Sequence, residues 1–260
     1  KLMQFIQPLA EGRAVGSTVK GIRVQDYLGI PVPLAAQEAQ PVIAKILDTL
    51  DTAIHETEAL IDKLKAVKQG LLHDLLTRGI DANGELRPPQ SEAPQLYKES
   101  VLGWIPTGWC AHPLGQSISL LSGQHIPTEL CNAEGKGTPY FTGPSDFVGA
   151  KTAVTQYTTH PQVMCDEGDL LITVKGSGCG KVAVASTPAC ISRQLMAIRY
   201  PTQAASYWLA VFQSQQELFN RMATGGNIPG ISRNQILETV FATPMSIEEM
   251  TAIGRRIQAM

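Results

Sequence analysis

The sequence predicts an α+β protein in which a long coiled-coil helix leads into a domain built on a mixed, largely antiparallel sheet. Three observations carry that expectation. A heptad run covers Pro41–Arg78, short apolar stretches punctuated by Gly, Asp and Pro fill the region between Trp104 and Pro201, and one short segment recurs at a separation of 209 residues, from Gly21 to Gly230.

The heptad run is the plainest of the three. Ile43, Leu47, Leu50, Ile54, Thr57, Ile61, Leu64, Lys68, Leu71 and Leu75 follow one another at alternating gaps of four and three, and only Thr57 and Lys68 are not apolar. Such spacing is the seam of a coiled coil rather than the broader stripe of a helix lying on a globular core. Asp, Glu, Lys, His and Gln occupy much of the remaining face. The helix is expected to stop near Arg78-Gly79, with a cation in the last turn and glycine just beyond it. At 1.5 Å per residue it makes a rod of roughly 57 Å. Its interhelical contacts are expected at Ile43, Leu47, Leu50, Ile54, Ile61, Leu64, Leu71 and Leu75, and a rod with an apolar seam requires a partner helix.

Composition narrows the function classes. Of 260 residues 43% are hydrophobic and 17% charged, which describes a soluble globular chain and excludes a disordered one. A net charge of −2 means that a nucleic-acid partner must be met by a local basic surface. The five cysteines, Cys110, Cys131, Cys165, Cys179 and Cys190, are scattered without a C-x-x-C pair. That argues against a disulfide framework or structural zinc and fits a reducing cytoplasm. No apolar run approaches 18 residues and no leader-like segment opens the chain, so neither a membrane span nor a signal peptide is expected. The chain opens on Lys-Leu-Met in mid-pattern and reads as a fragment or a processed piece.

Residues 1–34 read as a glycine turn, a short helix or strand, and an extended proline-bracketed segment entering the rod. The segment Gly225–Pro244 repeats that plan: Gly21-Ile22 falls on Gly230-Ile231, Val19 on Ile228 and Leu28 on Leu237, and a helix start follows each copy, near Ala36 and at Ser246. The chain thus shows one full period of globular domain, exit segment and long helix. After the rod, residues 80–99 are a linker punctuated by Asp-Ala-Asn-Gly, Arg-Pro-Pro-Gln and Ser-Glu-Ala-Pro. The following domain opens near Gly103-Trp104-Ile105-Pro106. Strands are expected at Ser117–Ser122, Pro139–Thr142, Asp169–Val174, Lys181–Ala185 and Gln194–Arg199, and one amphipathic helix at Ala204–Met222.

The segments GWIPTGW, GDLLITVKGSGCGKVAVAS and ATGGNIPGIS, together with the stretch from Ile30 through the rod to Ile80, resemble the specificity subunit of type I restriction–modification systems. The resemblance covers nearly the whole chain and is most specific in the rod and linker. It implies target-recognition domains alternating with long spacer helices that pair antiparallel and fix the distance between two DNA half-sites, in a subunit that is not itself catalytic. Residues 1–34 then resemble the tail of a first recognition domain, 35–79 the first spacer helix, about 100–244 a second recognition domain, and 245–260 the start of the second spacer. The implied partners are double-stranded DNA, methyltransferase subunits, a restriction or translocase subunit, and a second spacer helix from the rest of the subunit or another copy.

Read residue by residue, Lys175-Gly-Ser-Gly-Cys-Gly-Lys181 lacks the first glycine of a phosphate loop, and Val182 stands where its hydroxyl residue belongs, so nucleotide hydrolysis is rejected. A strand–loop–strand hairpin fits better, with Lys175, Ser177 and Lys181 placed to touch DNA phosphate. An ordinary hairpin with solvated lysines accounts for the residues equally well, and the resemblance favours contact. Gln124, His125, Thr128, Lys136, Thr138 and Tyr140 lie in a long polar loop suited to reading base edges, and Arg193-Gln194 can read guanine and adenine, unless Arg193 only pairs with a carboxylate. Asp166, Glu167 and Asp169 sit in a turn where carboxylates commonly cap. The histidines lack metal-ligand spacing, so no metal and no cofactor is expected. Two classes of function remain: a non-enzymatic DNA reader bridging methyltransferase subunits, or the reading end of a fused restriction–methylation enzyme whose catalytic domains lie outside these residues.

Overall fold

The computed structural model describes residues 2–15, 21–31, 34–176, 178–225 and 229–260, with backbone only for 2–6. The chain divides into two units, residues 1–64 and 65–260.

The first unit holds helices α1 (Leu2–Glu11) and α2 (Val24–Leu28) and most of α3 (Gln40–Thr77). Between α1 and α2 the chain doubles back, and Val15 and Gly21 exchange both backbone hydrogen bonds at 2.8 and 3.1 Å. α3 carries the heptads. Its positions Ile43, Leu47, Leu50, Ile54, Ile61 and Leu64 are 42–59% exposed, an open apolar edge. The exposed apolar surface is wider than the seam expected from the sequence. Ile46, Leu60 and Val67, at the heptad position beside the seam, are 55–58% exposed as well. A stripe three positions wide suits packing against more than one helix.

The far end of α3 corrects the expected seam. Leu75 is fully buried, and Leu71 packs against the same cluster, in the core of the second unit. These two positions are spent on their own domain and do not face a partner helix. The helix ends as expected: Gly79 adopts φ +63°, and Arg78 pairs with Asp74 at 3.0 Å.

The second unit contains fifteen strands among the described residues. They are β1 (Tyr97–Ser100), β2 (Gly103–Pro106), β3 (Trp109–Pro113), β4 (Ser119–Ser122), β5 (Cys131–Asn132), β6 (Thr138–Phe141), β7 (Phe147–Val148) and β8 (Lys151–Thr152). Then come β9 (Gln156–Thr158), β10 (Met164–Cys165), β11 (Leu170–Thr173), β12 (Val182–Val184), β13 (Ala189–Ile191), β14 (Leu195–Arg199) and, after the helices, β15 (Val240–Pro244). One six-stranded sheet runs β4-β14-β11-β12-β8-β7 and a five-stranded sheet runs β10-β13-β6-β9-β5. Pairing is antiparallel except for β12 with β8 and β13 with β6. Each of the five expected strands has a counterpart.

The run Leu170-Leu-Ile is apolar throughout because its sheet is covered on both sides. Leu170, Ile172, Met196 and Ile198 belong to a large cluster with Trp109, Tyr207, Trp208, Phe212 and Ile253. Their alternating neighbours Leu171, Leu195 and Ala197 join a second cluster with Phe141, Cys165 and Ile191. Burial in that second cluster pushes the Cys165 thiol up to about 11, and all five cysteines are free. The helix expected over Ala204–Met222 is two helices, α4 (Ala205–Ser214) and α5 (Gln216–Met222). The Gln215 amide, with φ −97° and ψ 5°, reaches Val211 and Phe212 carbonyls, and the rings of Phe212 and Phe219 stack across the break at 5.9 Å.

α6 (Arg233–Glu238) follows, capped by Ser232, and α7 (Ile247–Gln258) starts at the Ser246 cap. The repeat seen in the sequence is repeated in backbone pairing. Thr224 and Gly230 exchange both hydrogen bonds at 2.9 Å, 209 residues beyond Val15 and Gly21, and α6 stands where α2 stands in the first copy. Val19 and Ile228 lie outside the described residues. In the second copy Ile236 is fully buried, whereas its counterpart Tyr27 is 45% exposed.

The roots of α3 and α7 are tied together. Arg87 Nη1 donates to Glu249 at 2.5 Å, and the Trp109 indole N–H donates to the same carboxylate oxygen at 3.0 Å. Arg87 also donates to the Arg78 carbonyl at 3.0 Å. A Cβ at Gly79 would stand 2.5–2.7 Å from Glu249, Arg87 and Trp109, so the site admits only glycine. None of the helices described is long and apolar enough to cross a membrane.

Candidate nucleic-acid interface

The turn between β13 and β14 is fixed first. The Ser192 amide donates to Phe141 O at 3.0 Å, and its hydroxyl donates to Thr142 O at 2.5 Å while accepting from the Gln194 amide at 3.1 Å. Ser192 is thereby buried, and Arg193 and Gln194 are turned outward and exposed. The loop after β4 docks on this turn: the Gly123 amide donates to Leu195 O at 3.1 Å and the Gln124 amide to Ile191 O at 3.0 Å. A Cβ at Gly123 would collide with the Ser192 and Ile191 carbonyls, so the approach requires glycine. Gln124 and His125 are left exposed beside Arg193.

The hairpin of β11 and β12 reaches the same edge. The Val174 amide donates to Gln194 O at 2.8 Å, and the Gly176 amide donates to Pro229 O at 2.8 Å. The loop closes through Thr173 N to Lys181 O and Gly180 N to Thr173 O, both 2.8 Å. This is the strand–loop–strand form expected. Lys175 and Lys181 are exposed at its two flanks, and Ser177 lies outside the described residues. Among the described residues Lys175, Lys181 and Arg193 form no ion pair, which leaves their charges open to an external anion.

Beneath the turn lies a pocket of about 220 Å³. His125, Thr128, Arg193 and Gln194 line it, with Tyr140 and Ser192 among its buried residues. Gln156 on β9 lines it too, directly across from Tyr140 in register. Thr142 closes one side, held by Asp146, whose buried carboxylate accepts from the Thr142 amide at 2.6 Å and from the Thr155 hydroxyl at 2.7 Å.

Three expected contact residues sit differently from the rest. Tyr140 is 3% exposed and its hydroxyl accepts from the Ile126 amide at 3.3 Å, so it is part of the pocket's frame and cannot lie on an open surface. Burial pushes its hydroxyl pKa up, so it stays protonated. Thr138 is at the opposite end of β6, paired with Thr158, and Lys136 lies beyond it with its ammonium 2.8 Å from Glu134. The structure therefore brings together Gln124, His125, Arg193, Gln194, Lys175 and Lys181, and sets Lys136 and Thr138 apart. Sequence reasoning did not mark Gln156, Thr142 or Ser192. Gln156 belongs to a two-turn excursion between sheets, and only the strand register brings it to the pocket. The acidic turn is structural: Arg199 holds Asp166 at 2.7 Å and Asp169 at 3.4 Å.

No protein-family model matches the chain. It is similar to the putative type I restriction enzyme MjaX specificity subunit of Methanocaldococcus jannaschii, 27% identical over 238 residues, covering 89% of this chain and 52% of that protein. The type I restriction enzyme MjaVIII specificity subunit of the same organism is 26% identical over 130 residues, 50% of this chain and 28% of that protein. The chain therefore spans about half the length, or less, of these relatives. Among solved structures, a chain from a study of complex assembly and conformational transition in the type I R-M system aligns with TM-score 0.66 and 21% identity, over 98% of this chain and 60% of that one. The HsdS subunit from Thermoanaerobacter tengcongensis aligns with TM-score 0.58 and 20% identity, over 98% and 59%. The type I S subunit from M. genitalium aligns with TM-score 0.59 and 18% identity, over 99% and 63%. The fold is that of type I restriction–modification specificity subunits, and the chain resembles them over nearly its whole length.

Proposed function

We propose that this chain reads one half of a bipartite DNA site for a type I restriction–modification complex. Residues about 100–244 are the recognition domain, 35–79 the spacer helix, 80–99 the linker, 1–34 the tail of another recognition domain and 245–260 the start of a second spacer. The observation that carries the reading is the convergence of the 123–128 loop, the Arg193-Gln194 turn and the Lys175–Lys181 hairpin on one edge, with three cations that form no ion pair among the described residues. Phosphate contacts from such cations position a duplex, and Gln, His and Arg side chains read its base edges. The open apolar stripe of α3 supports the rest: a second spacer helix on its seam, from the remainder of the subunit or another copy, and methyltransferase subunits beside it, with a restriction subunit joining through them in the cytoplasm.

The reading is tested by titrating cognate and scrambled duplexes at several salt concentrations with the intact complex. Lys175→Ala and Lys181→Ala are each expected to weaken both duplexes alike and to make the salt slope shallower by about one unit. Gln124, His125 and Gln194 substitutions are expected to cost roughly 1–3 kcal/mol on the cognate site only. An unchanged slope, or equal loss on both duplexes from the polar changes, places DNA on another face. Reading is the chain's own part in the complex. Purified alone it is expected to show no ATPase, nuclease or methyl-transfer activity, and turnover that depends on one of its residues overturns this.

A further inference from the structure

We propose that the pocket beneath the β13–β14 turn receives one nucleobase of the half-site, rotated out of the duplex stack, at a position distinct from the base a methyltransferase modifies. The inference rests on the DNA-reading function proposed above and adds the way in which one position is read. A stacked base pair presents only its edge, and the exposed side chains of Gln124, His125, Arg193 and Gln194 meet that edge first. Tyr140 and Ser192 are 3% and 5% exposed, recessed behind them, and only a group that enters the pocket can reach them. The volume of about 220 Å³ is well above what a single water needs, and a planar heterocycle can displace the solvent it holds.

The lining matches a base better than a phosphate. Its recessed part holds Ile126, Cys131 and Tyr140 with no cation, and burial pushes the thiol and the phenol pKa upward, so this part is neutral at physiological pH. An anion would find positive charge only at the mouth, on Arg193. A base finds more. An imidazole or a guanidinium can stack on its face, as with His125 and Arg193, and the amides of Gln156 and Gln194 each offer a donor and an acceptor to its pairing edge. The surrounding frame is set before any ligand arrives, because Asp146 holds Thr142, Ser192 holds the turn and Gly123 brings the loop against it.

The test uses the intact complex and duplexes that it selects from a random pool, with 2-aminopurine placed at each half-site position in turn, omitting the methylated base. Fluorescence is expected to rise severalfold at one position on binding. A mismatch there is expected to bind about tenfold tighter than the matched duplex, because the pair is already weakened. Gln156→Ala changes an exposed side chain and leaves the frame intact. It is expected to abolish the rise and to weaken cognate binding about tenfold, with scrambled binding unchanged. Tyr140→Phe, which keeps the ring but removes the acceptor of the Ile126 amide, tests the recessed part, with a melting curve of the complex checking that the frame holds. A complex that binds its selected duplex without a rise at any of these positions overturns the pocket proposal and leaves DNA reading standing. A rise that survives both substitutions means the base goes elsewhere and also overturns it. If no duplex is selected, the DNA-reading function fails and this inference falls with it.

Discussion

Glu249→Ala is expected to destabilise the second unit by about 3–5 kcal/mol, the loss typical when one partner of a buried ion pair is removed. The Arg87 and Glu249 side chains are only 16% and 14% exposed, so the guanidinium left behind has little water to turn to. Trp109, fully buried, loses the acceptor of its indole N–H at the same time. Glu249→Gln keeps an oxygen for the indole and is expected to lose less. Urea unfolding of the three proteins should give midpoints in the order Glu, Gln, Ala with unchanged slope. A loss below about 1 kcal/mol for Glu249→Ala would show that the pair is solvated and holds nothing.

The second large effect concerns assembly and leaves folding alone. Ile54→Asp combined with Leu64→Asp is expected to abolish helix pairing along α3. A carboxylate buried against apolar neighbours costs several kcal/mol, and each 1.4 kcal/mol is tenfold in the pairing constant. In the chain itself Ile54 and Leu64 are 56% and 59% exposed, so the thermal stability of the chain should change little. Sedimentation of the complex, read beside a melting curve of the chain, separates the two. Unchanged assembly of the double variant rules the seam out.

What the sequence disclosed follows how locally each feature is encoded. The rod was legible because its period repeats over many turns, and the β11–β12 hairpin because its glycines and lysines are contiguous. The limits of the rod were less so. Leu75 keeps the heptad phase yet turns into the domain core, since the same apolar residue serves a seam or a core and only the neighbour decides. Tyr140 lies inside the pocket rather than in an open loop for a similar reason. Strand alternation tells that neighbours face opposite ways, and only the sheet register tells which way is inward. The Arg87–Glu249 pair spans 162 residues and the β3–β15 pairing joins distant strands, and no window along the chain contains either. Gln156 reached the pocket through strand pairing, again a non-local fact.

The pairing of β3 with β15 also imposes an order of events during synthesis. Trp109 and Pro244 are register partners 135 residues apart, so the pair that closes the domain waits for the last strand to leave the ribosome. At about 5–20 residues per second that is a delay of roughly 7–27 s. α3 has no such delay, because its hydrogen bonds are local and a helix forms in about a microsecond. For those seconds a nascent chain carries a finished apolar rod joined to an unfinished sheet. Leu75 and Leu76 stay uncovered until the core around Trp109 assembles. The interval is one in which chaperones, or a neighbouring nascent rod, can reach the open apolar stripe of α3.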